Sequence, residues 1–343
     1  MSESSPASSS RRSTTAVLIA AHRASGTIEA TLDAVLRQTR PPARVVVGID
    51  GPDPPTEEVV GRRAPEVEFV VLPVNSGGPG GPRNAAFEIV RDDPAVEHLW
   101  FCDADDVPSP RFIEVSEDLL ATHPDAAFVT HDFHRWPQGK PLPTVEPSEG
   151  PMRQVESFEL DDYLGATGDC LMGFAVLPIR SCRGIRESGL PFDPEVRCNE
   201  DYEAFVRLLV DRPAIRCPWR SGAYRIHESG HSSDGVRAWL SRLVAVETLI
   251  REGVAFEPDL RHAMLGGAIR QAARHLWARD ESGDRATAAR LLSDDTFGRR
   301  DARSLLQLLG CVTGLDSRTR RSPQGDQRRR WIDSSANRER DRE

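Results

Sequence analysis

Leu99–Pro108 reads LWFCDADDVP: four residues suited to a buried strand, then three carboxylates within four positions, then a proline. An apolar run of this length, closed by a polar turn, has the form of a strand covered on both faces. Its end delivers Asp103, Asp105 and Asp106 to one loop. Carboxylates gathered so closely repel one another unless a cation sits among them. Hard oxygen donors suit Mg2+ or Mn2+, which commonly take one or two carboxylates and complete their shell with substrate phosphates. The plainer alternative is a solvated acidic turn ahead of a helix, and a D-x-D pair alone does not choose between the two.

Working outward from this strand, apolar runs and helical spacings alternate. Residues 15–22, 44–49, 67–74, 98–102 and 126–131 read as strands, and 26–37, 56–62, 82–90 and 110–122 as the helices between them. Ile28, Leu32, Val35 and Leu36 follow the period of one helix face, and Pro82 suits a first helical turn. This alternation predicts an α/β fold, with βαβ units building a mostly parallel central sheet flanked by helices. Open sheets of this kind bind ligands beyond the carboxyl ends of their strands. Asp50 and the 103–106 cluster both fall at such ends.

Beyond residue 133 the pattern changes. Residues 136–155 are rich in Pro, Glu and Gly and read as a long loop. A strand is expected over 170–179, a short helix over 180–187, an amphipathic helix over 200–210 and extended chain over 216–226. Helical spacing then recurs over 235–252, 257–279, 283–293 and 300–310. The expected organisation is a disordered tail (1–14), a catalytic domain (15–232) and a helical extension (233–314), followed by a disordered Arg-rich tail (315–343). Within 15–232, residues 15–133 form the half with regularly alternating strands and helices and 134–232 a second, less regular half.

The 343 residues carry a formal net charge of −9, which disfavours a nucleic-acid binder. Residues 317–343 hold nine arginines against five acids, a net of +4, so the rest of the chain carries −13. No stretch approaches the roughly 18–20 apolar residues needed to span a bilayer. The six cysteines form no C-x-x-C pair, which suggests reduced, buried thiols in a cytoplasmic protein with at most a weak membrane association.

A second chemical element is Asn199-Glu200-Asp201, a carboxylate pair at the expected start of a helix. It could complement the helix dipole, or it could serve as a base for an attacking hydroxyl. A third is Tyr224-Arg225-Ile226-His227, followed by His231. The Gly/Pro-rich stretch 76–81 lacks the G-K-[ST] of a phosphate-binding loop and reads as an ordinary flexible turn.

Four stretches, in this order, resemble the family-2 glycosyltransferases, inverting enzymes with the nucleotide-sugar-binding GT-A fold. They are AVLIAAHRASGTIEATLDAVLRQTRPPARVVVGIDG (16–51), NSGGPGGPRNAAFEIV (75–90), LWFCDADDVPSPRFIE (99–114) and LPFDPEVRCNEDYEAFVRLL (190–209). The resemblance spans roughly Thr15–His227 and implies a function: a non-processive, inverting transfer of a sugar from a nucleotide-diphosphate donor to a hydroxyl acceptor.

The same resemblance implies roles for single residues. Ala20 and His22 would line the first nucleotide-contacting loop, and Asp50 would accept the N3–H of a uracil-type base, with Ile49 where the family often has a second acid. Arg83 would face the base or the phosphates. Asp103 would bind ribose or metal, and Asp105 would hold Mg2+ or Mn2+. Asp201, with Glu200 beside it, would be the base. His227, with His231 in reserve, would approach the diphosphate or the metal. A UDP-type donor is favoured, and the acceptor is a glycan, a lipid-linked glycan or a small metabolite.

Two further functions fit parts of this pattern. A sugar nucleotidyltransferase would usually open on a Gly-rich loop and place lysines on phosphates, whereas Lys140 is the only lysine. A non-catalytic nucleotide-sugar-binding protein could keep the same fold. The string Gln327–Trp331 (QRRRW) matches the Q-x-x-R-W of processive synthases, but it lies 130 residues beyond Asp201 and in the Arg-rich tail.

Overall fold

A computed structural model of the chain describes residues 12–145, 155–165, 170–227, 235–256, 258–279 and 283–284. The expected tail up to residue 11, His231, the helix over 300–310, nearly all of the helix over 283–293, and the Arg-rich tail with its QRRRW string lie outside the described residues. The described residues form two compact units. One comprises residues up to Pro194 together with Asp211–His227, and the other Glu195–Val210 with the helices that follow His227.

The first unit opens with β1 (Thr15–Ala21), α1 (Ile28–Leu36), β2 (Arg44–Ile49), α2 (Pro54–Gly61), β3 (Glu68–Val71), α3 (Gly80–Val90) and β4 (His98–Asp103). The four strands stand in the order β3-β2-β1-β4, all parallel. Continuous apolar runs suit β1 and β4 because both are interior strands: Ala16 to Ile19 and Leu99 to Cys102 are fully buried. The ring of Trp100 lies 4.3 Å from that of Phe112. Each such fully buried side chain contributes roughly 1.5–3 kcal/mol.

The sheet continues through β5 (Val107–Pro108), α4 (Phe112–Thr122), β6 (Val129–Pro137), β7 (Glu156–Phe158), α5 (Leu160–Gly165), β8 (Ala175–Pro178), α6 (Ile179–Arg183) and β9 (Ala214–Ile226). The order runs on as β8-β6-β9-β5, with β7 also on β9. Here antiparallel strands join a sheet that is, as expected, mostly parallel. β8 is antiparallel to both β4 and β6, so β6 and its parallel partner β9 point the same way as β4. The carboxyl ends of β1, β2, β4, β6 and β9 therefore share one edge, and most registered pairs in the sheet are parallel.

Two boundaries move for tertiary reasons. β6 runs past the expected end at His131 as far as Pro137, because its ladder with β9 continues to Ile226 across register shifts around Asp132. The strand expected over 170–179 shrinks to four residues, since Met172–Phe174 turn as a 3-10 helix and Ile179 begins α6.

Two contacts fix where the functional edge lies. A Cβ added at Gly48 would stand 2.1 Å from the Pro82 carbonyl oxygen, so α3 rests directly on the backbone of β2. Glu117 of α4 ties down the start of β1: its Oε1 accepts the Ser13 hydroxyl at 2.5 Å, the Thr14 N–H at 2.9 Å and the Thr15 hydroxyl at 2.8 Å. Its Oε2 meets Arg40 at 3.1 Å.

The second unit contains α7 (Glu200–Asp211) as far as Val210, with α8 (Gly235–Arg251) and α9 (Pro258–Arg279). Among the described residues no helix is long and apolar enough to cross a membrane.

Gly48→Ala is expected to lower unfolding stability by about 1–3 kcal/mol, as overpacking against backbone does, and urea titration checks it. For Glu117 burial alone would raise the carboxyl pKa, but hydrogen bonds from Ser13, Thr15, the Thr14 N–H and Arg40 outweigh it and the net shift is downward. Its stabilising contribution is thus present above the ordinary glutamate value and is lost as pH falls through the depressed one. Glu117→Gln should destabilise the protein by about 1–3 kcal/mol at pH 7. Urea titrations at stepwise lower pH should show that difference closing in acid.

Candidate functional site

The acidic cluster sits where β4 ends. Asp103 is the last residue of the strand, and its Oδ1 receives the Arg83 guanidinium from α3 at 2.5 Å. Arg83 is 3% exposed, lies 5.5 Å from the centroid of the Phe192 ring, and reaches Asp103 because α3 is seated on β2. Its neighbour Asn84 clasps the Phe192 backbone, donating to the carbonyl at 2.8 Å and accepting the N–H at 3.1 Å.

Asp105 meets the imidazole of His227, with Oδ2 and Nε2 2.9 Å apart. Burial and then the charge of Asp103 push its carboxyl pKa up, while His227 pulls it down. Asp106 is 1% exposed. Its Oδ1 accepts the Arg225 N–H at 2.9 Å, and its Oδ2 has no hydrogen-bond partner among the described residues. Burial, followed by the charges of Asp103 and Asp105, holds the Asp106 carboxyl well above the usual carboxylate range.

Other groups keep this cluster in register. The Arg225 Nε donates to the Asp105 carbonyl at 3.0 Å, and its guanidinium lies 3.8 Å from the centroid of Trp136. The Thr31 hydroxyl donates to the Asp106 carbonyl at 2.8 Å. Gly173 leaves the space the carboxylates occupy: a Cβ there would be 3.1 Å from Asp106 Oδ2 and 3.4 Å from Asp103 Oδ2.

The second predicted contact region lies at the ends of β1 and β2. Ala20 is still a ladder residue, paired with Gly48 and Asp103, and the loop opens at His22. Asp50 is 5% exposed, and its Oδ1 accepts the Ser76 N–H at 2.7 Å, tying the end of β2 to the loop after β3. The His22 Nδ1 lies 3.2 Å from the Asp50 carbonyl, and the Asn75 amide nitrogen stands 3.3 Å from that oxygen. Gly51, at φ +88°, permits the sharp exit from β2.

Glu200 and Asp201 belong to the second unit. Glu200 is 4% exposed, and Asp201 is partly exposed with its Oδ1 accepting the Tyr202 N–H at 2.7 Å. The structure thus brings Arg83, Asp103, Asp105 and His227 together in one unit, with Ala20, His22 and Asp50 on the neighbouring strand ends. Asp201 and Glu200 stand in the other.

Sequence reasoning singled out none of Asp106, Arg225, Trp136 and Gly173 for a role of its own. Asp106 was visible as the third acid of the cluster. Arg225 is two residues before His227, the strand period that turns both side chains to one side. Nothing local marks Trp136 or Gly173, whose positions depend on the β6–β9 ladder and on the turn before β8.

Among the described residues, no group of three or more His, Cys, Asp and Glu side chains could hold a metal ion by itself. The donors nevertheless suit a divalent ion such as Mn2+, since carboxylate oxygens with conflicting charges are hard donors and the His227 imidazole nitrogen beside Asp105 is a borderline one. Mg2+ and similar ions often complete their shell from substrate phosphates and water.

Residues 16–175 match the model of glycosyl transferase family 2. A search of curated proteins yields no match. Among solved structures, S. aureus TarS 1–349 in complex with UDP-GlcNAc aligns with a TM-score of 0.61 at 14% identity, over 95% of this chain and 92% of that one. The longer S. aureus TarS chain aligns with a TM-score of 0.57 at 14% identity, and this chain, matched over 94% of its length, covers 55% of it. The mannosyltransferase PcManGT from Pyrobaculum calidifontis, in complex with GDP-Man and Mn2+, gives 0.52 at 17% identity, over 97% and 89%. At these identities the structural likeness speaks for the fold, a central sheet flanked by helices as in GT-A enzymes. Residues 16–175 are thus a glycosyl transferase family 2 segment, in a chain whose fold is that of GT-A glycosyltransferases.

Proposed function

We propose that the protein transfers a sugar from a nucleotide-diphosphate donor to a hydroxyl acceptor with inversion, in a single displacement and without processivity. The observation that carries this is the convergence of Arg83, Asp103, Asp105 and His227 on the carboxyl edge of the sheet, beside Asp50. In open α/β sheets that edge is where ligands bind.

In this scheme Asp50 accepts a hydrogen bond from the base of a UDP-type donor, with His22 and the backbone at Ala20 lining the same loop. Arg83 and Asp103 act as one unit toward the ribose and diphosphate. The ion pair keeps Arg83 from standing as a lone buried charge. Asp105 and His227 would hold Mg2+ or Mn2+, which supplies charge stabilisation for the departing diphosphate. Asp201 accepts the acceptor hydroxyl's proton as its oxygen attacks C1, and the bond from C1 to the diphosphate breaks on the opposite face. Glu200 lies beside that base. Mn2+ and GDP-Man in PcManGT and UDP-GlcNAc in TarS support a donor of this class. Five buried free cysteines among the described residues support a reducing, cytoplasmic setting.

The test is incubation with Mn2+ or Mg2+ and a panel of nucleotide sugars and hydroxyl-bearing acceptors, following nucleoside-diphosphate release and sugar transfer. Asp201→Asn should keep donor binding by calorimetry and lower turnover by about 100- to 10,000-fold. Wild-type turnover in that variant would remove Asp201 from the role of base. Asp105→Asn and His227→Ala should each weaken Mn2+-dependent donor binding at least tenfold. Equal affinity with and without Mn2+ in the wild type would exclude the metal.

A further inference from the structure

The carboxylate pair at the start of α7 is aimed by a residue at its N-terminal boundary that has an unusual backbone. Asn199 has φ +62°, the left-handed region that residues other than glycine seldom occupy. Its carbonyl accepts the Glu203 N–H at 3.1 Å, the first hydrogen bond of the helix. A helix starting from such a residue takes its direction from whatever holds that residue in place.

What holds it comes from α8. Asn199 Oδ1 accepts two N–H groups of Arg242, from Nε at 3.0 Å and from a terminal nitrogen at 2.8 Å, and its Nδ2 donates to the Ala238 carbonyl at 2.7 Å. The Arg242 guanidinium lies 3.6 Å from the centroid of the Tyr202 ring, in the first turn of α7, and 5.2 Å from that of Trp239. One residue upstream, the Cys198 N–H donates to the Ser241 hydroxyl at 3.2 Å, and that hydroxyl donates back to the Cys198 carbonyl. Residues 198 and 199 are thus tied to 238–242 through backbone and side chain alike. Only a planar guanidinium can stack on Tyr202 and present two N–H groups to one oxygen at once, so lysine does not replace it.

We propose that Arg242 is a positioning residue for sugar transfer: it holds Asn199 left-handed and thereby sets the direction in which Glu200 and Asp201 project. The helices beyond residue 234 are then part of the catalytic machinery. This rests on Asp201 being the base.

The experiment compares full-length Arg242→Ala, Arg242→Lys, Asn199→Gly and the Asn199→Gly/Arg242→Ala double variant, with Asp201→Asn alongside. Turnover is read as UDP or GDP release from UDP-GlcNAc and GDP-Man with Mn2+, water serving as acceptor. Hydrogen exchange over residues 199–206 is read in the same proteins without substrate. Arg242→Ala should lower kcat about 100-fold with donor KM unchanged, the order of loss that a small misplacement of a catalytic group produces. Its first-turn amides should exchange at least tenfold faster while the β-sheet amides do not change. Arg242→Lys should recover only part of the loss.

Glycine adopts positive φ without help. In the Asn199→Gly background, the Arg242 substitution should therefore cost less than a third as much in kcat, on a logarithmic scale, and in exchange. Fully additive losses would overturn the proposal, as would wild-type exchange over 199–206 in Arg242→Ala. If Asp201→Asn abolishes turnover while Arg242→Ala keeps it, the positioning role falls and the base stands. If Asp201→Asn turns over at the wild-type rate, the assignment of the base falls instead.

Discussion

Three carboxylates leave the end of a buried strand within four residues, and the surrounding structure is arranged to keep them there. Like charges this close repel, and burial penalises Asp105 and Asp106 further. Arg83 answers Asp103, His227 answers Asp105, and a backbone N–H of β9 answers Asp106. The partners come from α3 and from the end of β9, so α3, β4 and the end of β9 must all be in place before the charges are tolerable. That requirement makes the carboxyl edge of the sheet a single construction. Removing one partner would leave an uncompensated buried charge, whose cost exceeds what the pair contributes when intact.

The geometry that meets this requirement relies on close backbone approach. Gly48 lets α3 lie against β2, which carries Arg83 to Asp103. Gly173 lets the turn before β8 pass beside two carboxylates, and Gly222 lets β9 pass Phe174 and β5. Glycine is used at these places for what it lacks. The second unit uses the opposite device, forcing Asn199 into a glycine-like conformation and holding it with an arginine–amide pair.

Much of this was legible beforehand, and the reasons are local. Parallel strands covered on both faces read as unbroken apolar runs, so β1, β2 and β4 stood out, and the ends of β2 and β4 located Asp50, Asp103 and Asp105. α7 and α8 were legible for the same reason, since one apolar face repeats at helical spacing. β8 was read as a strand, but its direction was not, because a short apolar run carries no mark of parallel or antiparallel pairing. The extension of β6 to Pro137 escaped because residues beyond His131 pair by ladder with β9 rather than by burial of an apolar stripe.

By itself the sequence determined the alternation of strands and helices, the edge on which the chemistry would lie, and the residue types available for it. Those features depend on periodicity and on side-chain chemistry, both properties of neighbours along the chain. Only the tertiary structure decided which polar side chain meets which: Arg83 with Asp103 across 20 residues, His227 with Asp105 across 122, and Arg242 with Asn199 across 43. The physical reason is that such pairs are set by strand order and helix packing, which bring distant segments within a few ångströms. No spacing rule along the chain encodes that proximity.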